Sequence, residues 1–319
     1  MLKFIKTFTL PVSIAFGTII YLIFYYVPFL DEPGDVLYPL IKDMLPWAMS
    51  LILFVTFLKL NYHEVGIRKW HVAIIVAQLA MSLGCVAVIN GFGLENEMKI
   101  LVEGVLICII CPSAIAASVV ASKLGGNLTE MTTYTVLSNI VAVFSMPLLF
   151  PMIEKSADLT FISAVLIILN KTIKILLLPL LFAALVKKFL PKVYEFITGI
   201  NDLNFYLWAI MLAVVTGVTV QNIYHTDISK VFLFWIALSA AVVTIVQFVL
   251  GKWLGGMFGN RIDGGQGLGQ KNTTFAIWCA FTYLNPVSSL APGCYILWQN
   301  IFNSWQLWRH EKKAKFKIW

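Results

Sequence analysis

The sequence predicts an all-α polytopic membrane protein with ten transmembrane helices. Hydrophobic residues make up 60% of the 319-residue chain and charged residues only 12%, and the mean hydropathy is +0.86. A helix needs about 20 mainly apolar residues to cross a bilayer, and apolar runs of that length follow one another along the whole chain. This composition excludes a soluble globular fold and leaves no room for a sizeable aqueous domain.

The ten predicted spans are separated by short polar segments. They are placed at residues 8–30, 38–60, 70–92, 98–122, 128–152, 160–187, 203–223, 230–256, 262–284 and 286–308. The first apolar run follows Lys3 and Lys6, as in a signal peptide. It is longer than a signal core and no small-residue cleavage site follows it, so we interpret it as the first span.

The basic residues predict the orientation of these spans. Most lysines and arginines at the predicted span ends fall on the side that carries both termini. The positive-inside rule therefore predicts an integral protein of the inner or plasma membrane with both termini in the cytoplasm. The net charge of +7 follows from these cytoplasmic segments, so no nucleic-acid partner is expected, and the basic end of the chain is expected to face lipid.

Two of the predicted spans are interrupted. The fourth carries Pro112 at its centre, and the ninth carries clustered glycines, amides and Lys271. Each is the fourth span of a set of five, and an odd number of spans makes the second set enter from the opposite side. Breaks in corresponding positions indicate a transport site near the bilayer midplane. The predicted domains are a first five-helix repeat at residues 1–157 broken at 108–118, a second at 158–308 broken at 264–276, and a basic tail at 309–319.

At these breaks the sequence resembles the bile acid:sodium symporter family. The resemblance covers nearly the whole chain by span count and spacing. It is carried by Val76–Ala80, by Cys111–Val119 followed by Gly126 and Asn127, by Met146–Leu149, and by Gly269–Ala276. It implies a panel domain and a core domain, two discontinuous helices that cross in the core, substrate bound near the crossing, and sodium coupling.

Several sodium ligands that the resemblance implies are replaced in this chain. Ala117 and Ser118 stand where relatives carry a serine–asparagine pair. In the fifth span Met131 replaces one of two hydroxyl ligands, whereas Thr135 keeps the other. Gly267 aligns with a sodium-binding glutamate. We therefore do not expect both sodium sites to function.

Lys271 aligns with a glutamine that is a ligand of the second sodium site in relatives. Of the ligands of that site, this chain keeps only Gln78. An ionisable residue at membrane depth is a functional hypothesis by default, and an ammonium group repels sodium. We expect the Lys271 ammonium to take the place of the second sodium and to donate to Gln78 and to carbonyls freed by the broken helices. It would act as a fixed surrogate cation or as a proton carrier. The alternatives are attraction of an anionic substrate and a purely structural role.

Further polar residues beside the breaks complete the predicted site. Their hydroxyls and amides could equally bond across helices or to their own backbone. The predicted substrate- and ion-binding residues are Gln78, Ser118, Thr135, Asn139, Gln270, Lys271, Asn272, Thr273 and Thr274. Glu103 is expected at a cavity mouth about one turn inside the fourth span. We find no metal-ligand cluster and predict no catalytic residue.

The spacing of the spans and breaks predicts a transporter. The resemblance, supported by the buried lysine, implies a secondary active transporter that carries an organic anion, such as a bile acid or another amphipathic carboxylate, by alternating access. The partners are that anion and the lipid bilayer. No cofactor is expected, and sodium stays open as a coupling ion. The alternatives are a sodium-coupled bile acid symporter and a non-transporting membrane sensor or scaffold. An enzyme is not expected, because no nucleophile, acid and base converge at one depth.

Overall fold

The computed structural model describes residues 9–59, 66–114, 116–154, 159–200, 203–224 and 229–316. Over this part of the chain the protein is all-α, with fourteen α-helices and no strand. The helices are α1 (Thr9–Tyr26), α2 (Asp31–Leu58), α3 (Lys69–Gly91), α4 (Asn96–Ile110), α5 (Ala116–Lys123), α6 (Leu128–Ile153), α7 (Phe161–Thr172), α8 (Leu178–Phe189), α9 (Pro191–Gly199), α10 (Leu203–Tyr224), α11 (Lys230–Gly256), α12 (Arg261–Gly269), α13 (Thr273–Tyr283) and α14 (Leu290–Phe316).

Four helical stretches are long and apolar enough to cross a membrane. They are α3, α6, α11, and α7 with α8, which a π-helical segment at Ile173–Leu177 joins. A fifth is α2, which bends by 43° between Glu32–Ile41 and Asp43–Leu58. Pro46 lies inside α2, and a proline ring clashes with the carbonyl four residues earlier, here residue 42 at the bend. The count of ten spans stays a prediction.

Both predicted interruptions are present in the structure. Helix α4 ends at Ile110 and α5 begins at Ala116, whereas α12 ends at Gly269 and α13 begins at Thr273. Ile115, in the first interruption, lies outside the described residues. Helix α14 continues through most of the predicted basic tail, to Phe316.

The chain folds into two compact units, and each takes helices from both halves of the sequence. The first unit comprises residues 1–60 and 171–228, and the second comprises 61–170 and 229–319. In the first unit α1 packs against α10 at small residues: a Cβ built on Gly17 would lie 2.1 Å from the Ala213 carbonyl oxygen. Such contacts let helix backbones approach closely in membranes. The boundary between the predicted repeats stays a prediction.

The second unit contains both interrupted helices. A buried cluster joins α3, α5, α6 and α12 and consists of Trp70, Ile74, Ala117, Ala121, Met131, Tyr134 and Leu268. Helix α12 lies against α11 through glycines, with the backbones of Gly251 and Gly264 in direct contact. The surface of the unit is apolar, with exposed side chains such as Val76 on α3 and Leu148 on α6. An apolar surface of this extent fits a lipid-facing bundle.

Candidate functional site

The two interruptions meet inside the second unit. The Ala114 N–H donates to the Gln270 carbonyl at 2.8 Å, and the Asn272 N–H donates to the Pro112 carbonyl at 2.9 Å. These two bonds form an isolated antiparallel bridge between the unwound segments. Non-helical backbone is tolerated at membrane depth only where protein or a water-filled cavity surrounds it. Here each unwound segment supplies hydrogen-bond partners for some of the backbone N–H and C=O groups of the other.

Pro112 explains why the first helix stops where it does. Proline has no N–H, so the Cys108 carbonyl four residues earlier loses its helical donor. The residue before a proline is driven to extended backbone, and Cys111 has φ −57° and ψ 145°. The Gln247 amide of α11 donates instead to the Cys108 carbonyl at 3.2 Å. A side chain from a distant helix thus replaces the missing backbone donor.

The Lys271 side chain is packed against the carbonyl end of α4 and is only 1% exposed. Its ammonium donates to the Ile109 carbonyl at 2.8 Å and to the Cys111 carbonyl at 3.1 Å. The Gln78 amide donates to the Ile110 carbonyl at 2.9 Å and to the Cys111 carbonyl at 3.2 Å. Lys271 and Gln78 therefore share one acceptor rather than bonding each other as expected. The carboxyl end of a helix carries partial negative charge, so a cation is favourable there.

Side chains of α14 hold the second interruption. The Lys271 backbone N–H donates to the Gln299 side chain at 3.0 Å. The Tyr295 hydroxyl donates to the Gly269 carbonyl at 2.6 Å and accepts from Gln247 at 3.1 Å. Gln247, Gln299 and Tyr295 are absent from the sequence prediction. The two glutamines could have been recognised in the sequence, because each is an amide side chain within an apolar run.

The polar residues of α6 support the first interruption. The Ser113 N–H donates to the Ser138 hydroxyl at 3.0 Å, and that hydroxyl donates to the Thr135 carbonyl at 2.9 Å. The Thr135 hydroxyl donates to the Met131 carbonyl of its own helix. The Asn139 amide donates to the Thr135 carbonyl, whereas its buried Oδ1 has no hydrogen-bond donor among the described residues. Asn139 thus keeps an acceptor for a ligand.

The remaining predicted site residues lie at the same two interruptions. They are Ser118 in α5, Gln270 and Asn272 in the second interruption, and Thr273 and Thr274 in the first turn of α13. The Asn272 side chain caps α13 by accepting from the Phe275 N–H at 3.3 Å. The Gln270 Oε1 is buried and has no hydrogen-bond donor among the described residues. Gln270 therefore offers a second free amide oxygen beside the bridge.

The space beside Gly267 is filled by aromatic rings. A Cβ built on Gly267 would lie 2.9 Å from the Tyr134 ring and 3.4 Å from the Trp70 ring. Tyr134 is buried, and its hydroxyl reaches the Gln78 Oε1 at 3.5 Å. A larger side chain at position 267 would have to displace the Tyr134 ring.

Replacing Gln78 with leucine is expected to destabilise the protein by about 1–3 kcal/mol, because the buried Ile110 carbonyl loses its donor. Thermal unfolding in detergent measures this effect. Ser82→Ala is the matched control on α3, since the buried Ser82 hydroxyl bonds only the Gln78 carbonyl of its own helix. An equal loss of stability in both variants would contradict the assigned role of Gln78.

A separate cavity of about 840 Å³ lies within the first unit, lined by residues of α1, α2 and α10. Among the described residues that line it, Asp35 is charged and no lysine or arginine is present. Phe16, which lines it, is 58% exposed, so the cavity opens at the surface of the helices. The buried polar side chains and Lys271 lie at the interruptions, so the candidate site is placed there.

Comparison with known proteins identifies the family. No curated protein matches the chain. The model of the SBF-like CPA transporter family matches residues 16–287, which is most of the chain. The apolar helices agree with a membrane transporter. The chain belongs to the SBF-like CPA transporter family.

Proposed function

We propose that this protein is a secondary active transporter of an organic anion, and that the Lys271 ammonium replaces a bound sodium ion. The observation that carries the proposal is the contact of the buried ammonium with the Ile109 and Cys111 carbonyls. Hydrogen bonds to a charged group contribute roughly 1.5–3 kcal/mol each. A cation at the carboxyl end of a half-helix adds up to about 2 kcal/mol when it is partly buried. The carbonyls at this end of α4 are therefore suited to hold a cation.

Three further observations favour sodium-free operation. Gly267 offers no carboxylate, and the Tyr134 ring fills the space that one would need. Met131, in place of a hydroxyl ligand, is buried and apolar. A sodium ion about 4 Å from the ammonium would be repelled by about 4 kcal/mol at an effective dielectric constant of 20. Sodium coupling and proton carriage by Lys271 are the competing mechanisms.

An anionic substrate would balance the charge of Lys271. Among the described residues, no carboxylate pairs with Lys271. The free amide oxygens of Asn139 and Gln270 would accept hydrogen bonds from hydroxyl groups or bound water. An amphipathic carboxylate that also carries hydroxyl groups would satisfy both requirements.

We further propose the inverted five-helix repeats, with the two compact units as the panel and core domains. Two equivalent contacts support the repeats. The Glu103 carboxylate in the middle of α4, the first half of one broken helix, accepts the N–H of Asn285, which follows the other broken helix, at 3.1 Å. Reciprocally, the Asp263 carboxylate accepts the N–H of Asn127 at 2.9 Å. In each contact, a carboxylate before the break of one helix binds the backbone N–H that follows the other helix. A pseudo-twofold axis relating the two repeats would produce such a pair of contacts.

Uptake by proteoliposomes tests the proposed function. Bile acids, sulfated steroids and small keto acids are offered with sodium or with potassium as the only alkali cation, and protein-free liposomes are the control. We expect at least one anion to accumulate equally fast in both media. Strong stimulation by sodium would contradict the surrogate role of Lys271. Binding without accumulation would identify a sensor, and chemical conversion an enzyme, and either result would overturn the transport proposal.

A further inference from the structure

A buried carboxyl group, that of Glu103, lies in α4 six residues before the Ile109 carbonyl that binds Lys271. The Glu103 side chain has 0% exposure. Its Oε2 accepts the Asn285 N–H, whereas its Oε1 has no hydrogen-bond donor among the described residues. The Lys99 ammonium is 3.7 Å from Oε1, which is too long for a hydrogen bond. One oxygen of a fully buried carboxyl group therefore has no hydrogen-bond donor.

A second carboxyl group lies close to the first. Glu154, which follows the last turn of α6, interacts with the Glu103 side chain and shares the Lys99 ammonium with it. The Lys99 ammonium forms an ion pair with Glu154. One ammonium cannot balance two carboxylates, and two carboxylates that share a site do not both ionise readily. A proton held between the two groups would supply the missing hydrogen and would balance the charge.

We propose that Glu103 and Glu154 together bind one proton, with Lys99 neutralising the remaining negative charge. In the bound form the proton resides on the Glu103 Oε1, which donates to the Glu154 carboxylate. On release the proton passes to water and leaves two carboxylates around one ammonium. The side chains of Lys99 and Glu154 are 26% and 36% exposed, so the proton exchanges with solvent through them.

The same residues do not form a metal site. A metal ion of the calcium or magnesium type takes several oxygen ligands. Among the described residues, no group of three potential metal ligands is present. Lys99 already supplies the positive charge. Among the described residues, Lys99 and Glu154 are the titratable groups that act on Glu103. Lys155, the next residue after Glu154, lies outside this part of the chain.

The proton site is joined to the second interrupted helix through Asn285. This residue follows α13 and caps the next turn by accepting from the Val287 N–H at 3.0 Å. Proton release gives a negative charge to the carboxyl group that accepts the Asn285 N–H. This changes the strength of that hydrogen bond, and with it the stability of the position at which α13 ends. The effect on transport rests on the proposed function, whereas proton binding itself does not.

Infrared spectroscopy of the protein in lipid tests the site without any substrate. A protonated carboxyl group gives its own C=O stretching band, distinct from the carboxylate bands. We expect one such band at neutral pH in the parent protein, sensitive to deuterium exchange and lost at alkaline pH. Glu103→Gln should remove it. Glu154→Gln should shift its frequency, because the proton then loses its carboxylate acceptor.

Glu130→Gln is the matched control. Glu130 accepts hydrogen bonds from Trp70 and Asn260 and pairs with Arg68. Both of its oxygens therefore have partners other than a second carboxyl group, and the band should persist in this variant. A band that persists in Glu103→Gln, or its absence from the parent at neutral pH, would overturn the proposal. Should Glu103→Gln fail to fold, an unshifted band in Glu154→Gln would overturn it as well. Neither result bears on Lys271, which lies elsewhere in the unit.

Discussion

Lys271→Gln is expected to lower sodium-free uptake at least about tenfold, which corresponds to a loss of about 1.4 kcal/mol, while the protein stays folded. Glutamine keeps an amide that can donate to the Ile109 and Cys111 carbonyls, so these carbonyls at the end of α4 keep a hydrogen-bond donor. The variant removes the charge and shortens the side chain by one bond. Initial uptake rates in proteoliposomes measure the loss, and thermal unfolding verifies the fold.

Sodium distinguishes the two functional roles of Lys271. If the ammonium replaces a sodium ion, sodium should stimulate uptake by Lys271→Gln and leave the parent protein unchanged. If the ammonium only attracts the anion, uptake should fall equally in sodium and in potassium. Lys252→Gln is the control, because Lys252 of α11 lies over the Phe302 ring of α14 and packs against Gly265 of α12, outside the unwound residues 270–272. Unchanged uptake by Lys271→Gln would contradict both roles.

The interruptions were predictable because their causes are local. Pro112 cannot donate to Cys108, and clustered glycines weaken a helix. Lys271 was recognisable for the same reason, since its charge stands in an apolar segment. Its acceptors were predictable only in part. The carbonyls freed by the broken helix were expected, but the sharing of Cys111 with Gln78 depends on how α3 packs.

The supporting side chains of the site could not be predicted, because they come from distant segments. Gln247 is 139 residues from the Cys108 carbonyl that it binds, and Gln299 is 28 residues from Lys271. Glu103 was expected at a cavity mouth, yet it is fully buried because the turn at Asn285 covers it. Sequence position within a span indicates depth along the helix, whereas burial depends on which neighbouring turn lies over it.

Gly264→Ala is expected to abolish or strongly reduce folding of the second unit. A Cβ on Gly264 would lie 2.4 Å from the Gly251 carbonyl oxygen and 2.7 Å from the Gly255 Cα. Both contacts are with backbone, so no side-chain rotation relieves them and α11 must move away from α12. Overpacking of a core costs about 1–3 kcal/mol where side chains can adjust, and a backbone clash should cost more.

The yield of monodisperse protein and its unfolding temperature in detergent measure this effect. Gly256→Ala is the control on α11, because its Cβ would meet nothing closer than the Arg261 Cβ at 3.8 Å. It should behave like the parent protein. Native proteins are stable by only about 5–15 kcal/mol, so a clash of this size can unfold the unit. Displacement of α12 would also weaken the backbone bridge between Ser113 and Lys271, because that bridge begins directly after α12. Equal stability of the two variants would show that α11 and α12 do not need this close approach, and the position of the second interruption would then require another explanation.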